Sequence, residues 1–405
     1  MTRLRTTSIR RLFAVLACAA VLVTTAAIAQ AALTGGGPIA APKALAQAIS
    51  DAIGAPAPDG VTARITFTNN LLPSGSLPGT SSALTGGADG RLWLTKDGRL
   101  RLELQSGSGD VQITFDGTHA TLFDASSNTL YKATLPEQPA GAGKHESDHA
   151  NPTVAKIQDA LDGLAKLWTV SAADPARPQA GRPTYTVRIA PRDDGGLLGA
   201  AEVAWDAVHG IPLRAAVYAQ GQSDPVLELK ATDISYGAVA DADVAAPASR
   251  GAKVVDLSPQ ASQADAGAEH ADPSAAKPAV NGVDAVAARL DFKLAAPEKL
   301  AGLPRHGVHL VDIDGKRGAL VTYGKGLGAI AVLEHGAGAP DAAAAKPSHG
   351  EHDNPLPQIN IDGATGTEIA TALGTIVTFE RDGVACVVAG SVPPLAAENA
   401  ARGLR

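Results

Sequence analysis

The sequence predicts an α+β protein, in which a predominantly antiparallel sheet carries helices on its inner face and a smaller α+β unit follows. Two Asp-Gly pairs, Asp97-Gly98 and Asp116-Gly117, lie between stretches that alternate apolar and polar residues. This pattern is a strong signal for β-hairpins. Apolar residues at helical spacing occur in short stretches on either side of this region. An antiparallel meander is therefore the most informative feature of the chain.

The first unit is expected to extend over residues 40–247. Apolar residues at helical spacing predict a helix over residues 43–53, closed by Gly54 and Pro56, and a second helix from residue 152 to Trp168. A stretch rich in Gly, Ser and Pro predicts a long loop over residues 69–89. Period-two alternation and β-branched content predict strands over residues 61–68, 90–95, 99–104, 111–117, 120–124, 129–135, 184–190, 200–207, 213–219 and 226–236.

A disordered linker is expected over residues 248–282, where Ala, Pro, Ser, Asp and Gln occur without periodicity. Residues 283–405 are predicted to form the smaller α+β unit. A hairpin is expected around Asp382-Gly383, and helices over residues 367–373 and 394–404. The other strands are expected over residues 307–313, 318–323, 327–334 and 358–361.

Residues 1–31 predict a signal peptide or an N-terminal membrane anchor. Four arginines within the first 11 residues precede an apolar run, and the run ends at Ala29-Gln30-Ala31. This order is typical of export signals, so we expect an extracytoplasmic protein that is secreted or attached to the outer face of the cytoplasmic membrane. The net charge of −7 and the lack of a basic tract beyond this segment argue against a nucleic-acid partner.

The residues give little sign of catalysis or of a cofactor. We find no Gly-x-Ser-x-Gly motif and no phosphate-binding loop, so we expect no enzymatic activity, with an unseen hydrolase site as the weakest alternative. Cys18 lies in the N-terminal apolar run, and Cys386 lies in a predicted apolar strand, which predicts no disulfide framework. Two loops carry clustered metal-ligand types, but their composition favours solvated residues over a metal site. These residues are His145, Asp148 and His149 in one loop and His349, His352 and Asp353 in the other.

An apolar cavity between a curved sheet and its helices is the expected binding site. Aromatic residues make up only 3% of the chain, so a core with few large rings can leave apolar volume unfilled. Such a volume suits an acyl chain. The side chains expected to line it are Leu92, Trp93, Leu94, Leu102, Leu104, Phe115, Phe123 and Trp168.

The region from residue 90 to 135 resembles the LolA/LolB-like and RseB (MucB)-like lipoprotein-carrier superfamily. The resemblance rests on an Arg-hydrophobic-Arg strand at Arg99–Arg101, a following Asp-Gly turn, and an aromatic strand that ends in Tyr131 before a Leu-Pro pair. The segment Ile211-Pro212-Leu213-Arg214 matches a later strand of that superfamily. The likeness covers about residues 43–247. It implies an unclosed antiparallel β-barrel, or half-barrel, covered by helices.

The resemblance also implies a function. Its apolar inner face would hold the acyl chains of lipids or lipoproteins, so we expect a non-enzymatic lipid-binding protein of the cell envelope. RseB-like proteins have a second domain and sense membrane-bound regulators. The alternative is therefore an envelope-stress regulator that binds an anti-sigma factor or another membrane protein.

Overall fold

Two sheets dominate the computed structural model. It describes residues 38–72, 83–107, 109–134, 151–175, 177–193, 196–246, 251–257, 280–313, 316–337 and 356–405. The first sheet has 12 strands in the order β12-β6-β5-β4-β3-β2-β1-β11-β10-β9-β8-β7. Its strands are β1 (Gly60–Asn69), β2 (Ala88–Thr95), β3 (Leu100–Gln105), β4 (Val111–Phe115), β5 (His119–Asp124), β6 (Thr129–Thr134), β7 (Trp168–Val170), β8 (Thr184–Pro191), β9 (Leu198–Asp206), β10 (Pro212–Ala219), β11 (Leu227–Tyr236) and β12 (Lys253–Asp256).

The first sheet is an open, helix-covered half-barrel, which confirms the predicted fold class. Every described neighbouring pair is antiparallel except β12 and β6, and the end strands β12 and β7 leave the sheet unclosed. Its helices are α1 (Leu45–Gly54), α2 (Ala83–Gly86) and α3 (Val154–Leu164), with a 3₁₀ turn at Asp241–Val244. Ala48 of α1 packs with Tyr185 and Trp205, which places α1 over β8 and β9.

The predicted Asp-Gly turns connect β2 to β3 and β4 to β5. Gly98 and Gly117 have φ angles of 87° and 103°, which glycine adopts without steric cost. Asp116 accepts hydrogen bonds from the backbone N–H groups of Thr118 and His119 at 2.9 and 2.6 Å. Side chains at the turns thus hold the hairpins in a single register.

An ion-pair network crosses the outer face of the first sheet, opposite the helices. Glu202 accepts hydrogen bonds from Arg188, Arg214 and the Tyr218 hydroxyl, each at 2.8 Å. Arg214 also donates to Glu228 at 2.7 Å. Burial opposes ionisation of Glu202, but these donors outweigh it and lower its pKa to about 2. The network joins β8, β9, β10 and β11 through groups that share hydrogen-bond partners.

The second sheet has eight strands in the order β13-β14-β15-β16-β20-β19-β18-β17 and is antiparallel throughout. Its core side chains pack against α4 (Val283–Ala287) and α5 (Pro394–Gly403). Cys386 is buried there in an apolar strand, as predicted. The strands are β13 (Lys299–Leu300), β14 (Leu303–Ile313), β15 (Lys316–Tyr323), β16 (Ile330–Gly336), β17 (Gln358–Ile361), β18 (Ala364–Thr371), β19 (Gly374–Arg381) and β20 (Val384–Gly390).

Two sequence predictions about single elements were wrong, and one strand lies within the expected linker. The helix expected over residues 367–373 is the strand β18, because its backbone pairs with both β17 and β19. The helix expected to continue to Trp168 ends at Leu164, and Trp168 begins β7, which pairs with β8. The expected linker 248–282 contains β12, which pairs with β6 in parallel.

Several expectations fall on residues that the structure leaves undescribed. The export signal or anchor over residues 1–31, Cys18 and both His-rich loops lie outside the described ranges. The residues of those loops are His145, Asp148, His149, His349, His352 and Asp353. The boundaries 40–247, 248–282 and 283–405 remain predictions.

We predict that Glu202→Ala lowers the free energy of unfolding by about 1.5–3 kcal/mol, because it removes the acceptor that Arg188, Arg214 and Tyr218 share and leaves the poorly exposed Arg214 guanidinium with Glu228 alone. Urea denaturation at pH 7 measures this change. The matched control is Asp59→Ala, which breaks the exposed Lys96–Asp59 pair and should cost no more than about 1 kcal/mol. Equal losses in the two variants would contradict the prediction.

Candidate apolar binding face

The inner face is the side of the first sheet that carries α1 and α2. Cross-strand pairs place Leu92 opposite Leu102, Leu102 opposite Ile113, and Ile113 opposite Leu122. Since side chains alternate between the faces of a strand, the residues two positions away lie on the same side. Five of the expected lining residues therefore share the inner face: Leu92, Leu94, Leu102, Leu104 and Phe115.

The burial of inner-face side chains decreases from one end of the meander strands to the other. Leu104 and Val111 are opposite each other and only 2% exposed. Ala83 of α2 belongs to the same packed cluster. The Leu92–Leu102–Ile113–Leu122 row and the Leu94–Leu100–Phe115 row are only half-buried. Apolar side chains thus remain partly open to solvent beside a closed core.

Two of the expected lining residues, Trp93 and Phe123, lie on the outer face. Trp93 is opposite Arg101, whose guanidinium carbon lies 5.6 Å from the centre of the indole ring. This cation–π contact stabilises both side chains outside the barrel. Phe123 is opposite Gln112. The structure does not bring these two rings together with the inner-face leucines, because their positions have the opposite parity in their strands.

Trp168 is also separated from the inner-face leucines. It lies on β7 at one edge of the sheet, where it pairs with Pro191 and is half-buried. Five strands, β1, β11, β10, β9 and β8, stand between β7 and β2. Trp168 therefore belongs to a different part of the sheet from Leu92 and Leu102.

A polar group that the sequence analysis missed lies at the β9–β10 turn. Asp206 is fully buried and accepts a hydrogen bond from the Tyr236 hydroxyl at 2.6 Å. It also accepts from the backbone N–H groups of Val208 and His209, at 2.7 and 3.0 Å. Burial, and then the Asp206 carboxylate, raises the pKa of Tyr236. The signal in the sequence was the Asp-x-x-His-Gly turn, which suits a side chain that caps its own turn.

Two aromatic side chains, Tyr185 and Trp205, pack under α1. The rings of Tyr185 and Trp205 are 6.0 Å apart, and the Tyr185 hydroxyl donates to the Ala41 carbonyl at 2.5 Å. Trp205 Nε1 is buried and has no hydrogen-bond partner among the described residues. This part of the inner face is closed by α1, in contrast to the half-buried rows on β2–β5.

The described residues offer no metal centre on either sheet. Within them, no group of three or more His, Cys, Asp or Glu side chains could hold a metal ion. Nor is any of the described helices both long enough and apolar enough to cross a membrane. The chemistry that the described side chains of the inner face offer is burial of apolar surface.

No protein-family model and no curated protein sequence matches the chain. Solved structures do. A MucB structure in complex with MucA(peri) has 16% identity and a TM-score of 0.37, and it covers 89% of this chain and 96% of that one. The Pseudomonas aeruginosa MucA/MucB complex has 16% identity and a TM-score of 0.36, with 88% and 94% coverage.

A third match is an outer membrane lipoprotein-sorting protein domain from Vibrio parahaemolyticus. It has 10% identity and a TM-score of 0.19, and it covers 46% of this chain and 88% of that one. The TM-scores of all three matches are below 0.5, so they carry no conclusion about the function of this chain.

Proposed function

We propose that this chain is an exported, non-enzymatic protein of the cell envelope that holds an acyl chain of a lipid or lipoprotein on the inner face. One observation carries the proposal. The row Leu92, Leu102, Ile113 and Leu122 continues across β2, β3, β4 and β5 and is half-buried at every position. A soluble sheet normally buries such a row or replaces it with polar residues.

The dimensions of the row suit hydrocarbon. Neighbouring strands lie about 4.8 Å apart, so four strands span roughly 15 Å. An extended segment of an acyl chain can lie along this distance and contact each side chain in turn. Each methylene that it buries contributes about 0.8 kcal/mol before the costs of association. A few contacts of this kind are enough for binding without any polar anchor.

The outer face supports the assignment by contrast. Positions 101, 103, 112 and 114, which alternate with the inner-face row, are Arg101, Glu103, Gln112 and Thr114. Thr114 is buried and the other three are half-buried, so the outer side of β3 and β4 is polar where the inner side is apolar. A ligand made of hydrocarbon therefore meets a continuous apolar row on the inner face. The N-terminal pattern of arginines, apolar run and small residues supports export to a compartment where lipids are available.

We predict that Phe115→Gln reduces bound lipid by at least tenfold, whereas Phe123→Gln leaves it unchanged. Both rings are half-buried and both lie in the meander, but they occupy opposite faces of the sheet. Full burial of such a ring contributes about 1.5–3 kcal/mol, and about 1.4 kcal/mol corresponds to a tenfold change in affinity. Lipid is extracted from purified protein and measured per mole of protein by mass spectrometry.

Circular dichroism and urea denaturation establish that both variants fold. A wild-type protein that stays free of lipid after incubation with phospholipid vesicles would overturn the proposal, as would equal losses in the two variants. If the lipid-free protein instead binds the extracytoplasmic segment of a membrane-bound anti-sigma factor, the alternative role as an envelope-stress regulator is favoured.

A further inference from the structure

A cavity of about 410 Å³ lies in the second sheet, at the ends of β16, β19 and β20 and beside the C-terminal residues that follow α5. Its volume is within the range of small-molecule sites, which is about 300–1,000 Å³. Phe379, Val384 and Leu404 give it an apolar wall. Glu334 and Cys386, which are opposite each other on β16 and β20, also line it.

Glu334 is the unusual group in this cavity because one of its carboxylate oxygens has no hydrogen-bond partner in the described part of the chain. The residue is only 1% exposed. Its Oε2 accepts a hydrogen bond from the Ala295 backbone N–H at 2.9 Å, while Oε1 has no hydrogen-bond partner among the described residues. An unsatisfied buried acceptor costs free energy and therefore calls for a physical explanation. A ligand that donates to Oε1 would supply one.

The charges around the cavity favour a cationic donor. Arg381 is committed to the backbone carbonyls of Leu404 and Ile361, at 2.6 and 2.8 Å. Arg405 is paired with Asp362 at 3.2 Å. Asp291 and Asp382 also line the cavity, and neither forms an ion pair within the described part of the chain. Hydrogen bonds to neutral carbonyls leave the charge of Arg381 in place. With Glu334 ionised, the three wall carboxylates still outnumber the two wall cations that no carboxylate pairs, Lys293 and Arg381.

We propose that this cavity binds an organic ammonium ion, whose N–H donates to Glu334 Oε1 while its alkyl part contacts Phe379, Val384 and Leu404. A metal ion is a poorer occupant, since no group of three metal-ligand side chains exists in the described ranges. The same ammonium chemistry is found in a free alkylamine and in a lysine side chain of a polypeptide. The proposal is independent of lipid binding on the first sheet.

We predict that n-butylammonium binds the full-length protein saturably at pH 8, and that Glu334→Gln weakens this binding at least tenfold. Isothermal titration calorimetry measures both affinities. The matched control is Glu380→Gln, since Glu380 is exposed on β19 and lies outside the cavity. It should bind as the wild type does. Tetramethylammonium, which has no N–H donor, should bind at least tenfold more weakly than n-butylammonium.

A lysine-containing heptapeptide distinguishes the two sources. Tighter binding of the peptide than of the amine assigns the site to a lysine side chain, and the reverse assigns it to a free amine. Absence of saturable binding of either probe to the wild type would overturn the proposal. Equal affinities of the wild type and Glu334→Gln would do the same.

The site should also respond to pH. Burial raises the pKa of Glu334 to about 7 against the lowering effect of the Ala295 N–H. The pKa values of the neighbouring Tyr323 and Cys386 rise to about 12, so both stay neutral. The other ionisable side chains around the cavity are Asp291, Lys293, Arg381, Asp382 and Arg405. Ammonium affinity should therefore increase as pH rises to about 7, the pKa of Glu334, and level off above it.

We predict that Glu334→Gln becomes more stable relative to the wild type as pH rises from 4.5 to about 7. In this window the folded wild type keeps a proton that the unfolded chain has lost, so wild-type stability falls. In thermal unfolding, the Tm of Glu334→Gln should rise by a few degrees relative to the Tm of the wild type over this pH range. At pH 8, n-butylammonium should raise the Tm of the wild type more than that of the variant at the same concentration. A Tm difference that does not change with pH would contradict the assignment.

Discussion

The register between β2 and β3 is the constraint on which the candidate binding face depends. Leu92 is opposite Leu102 and Trp93 is opposite Arg101, so a shift by one residue would exchange the inner and outer sets. The turn prevents such a shift, because Gly98 adopts a positive φ and the Arg99 N–H donates to the Thr95 hydroxyl at 3.0 Å. Each later strand of the meander takes its register from this hairpin through β4 and β5.

Local sequence was enough to predict the meander but not every short element. Asp97-Gly98 and Asp116-Gly117 predict turns, because glycine adopts the positive φ that these turns require. The two hairpins could therefore be predicted from local sequence. The segment of β18 contains Glu368, Ile369 and Ala370, whose local pattern suits a short helix. Pairing with strands on both sides outweighs that weak preference. The parallel pairing of β12 with β6 joins segments more than a hundred residues apart, and no local pattern encodes it.

The placement of the candidate site residues could be predicted in part, because the parity of each position separates the inner-face residues from the outer-face residues. Leu92 and Leu94 are two positions apart in one strand, whereas Trp93 lies between them and points to the opposite face. Choosing residues by aromatic character ignored this alternation, although the sequence contained it. The solvent exposure of these side chains could not be predicted in this way, because the half-burial of Leu102 and Phe115 depends on where α1 and α2 lie. That placement is a tertiary property.

Glu202 and Glu334 are both buried carboxylates, but their hydrogen-bond partners differ. Glu202 has three donors, so its charge is fully compensated and its ionised form is part of the folded state. Among the described residues, Glu334 has one backbone donor and an oxygen without a partner, so its ionised form is costly. A compensated carboxylate stabilises strand order and leaves nothing for a ligand to supply. An uncompensated carboxylate in a cavity favours cation binding. A cation that donates to it offsets the free-energy cost of burying the ionised group without a partner.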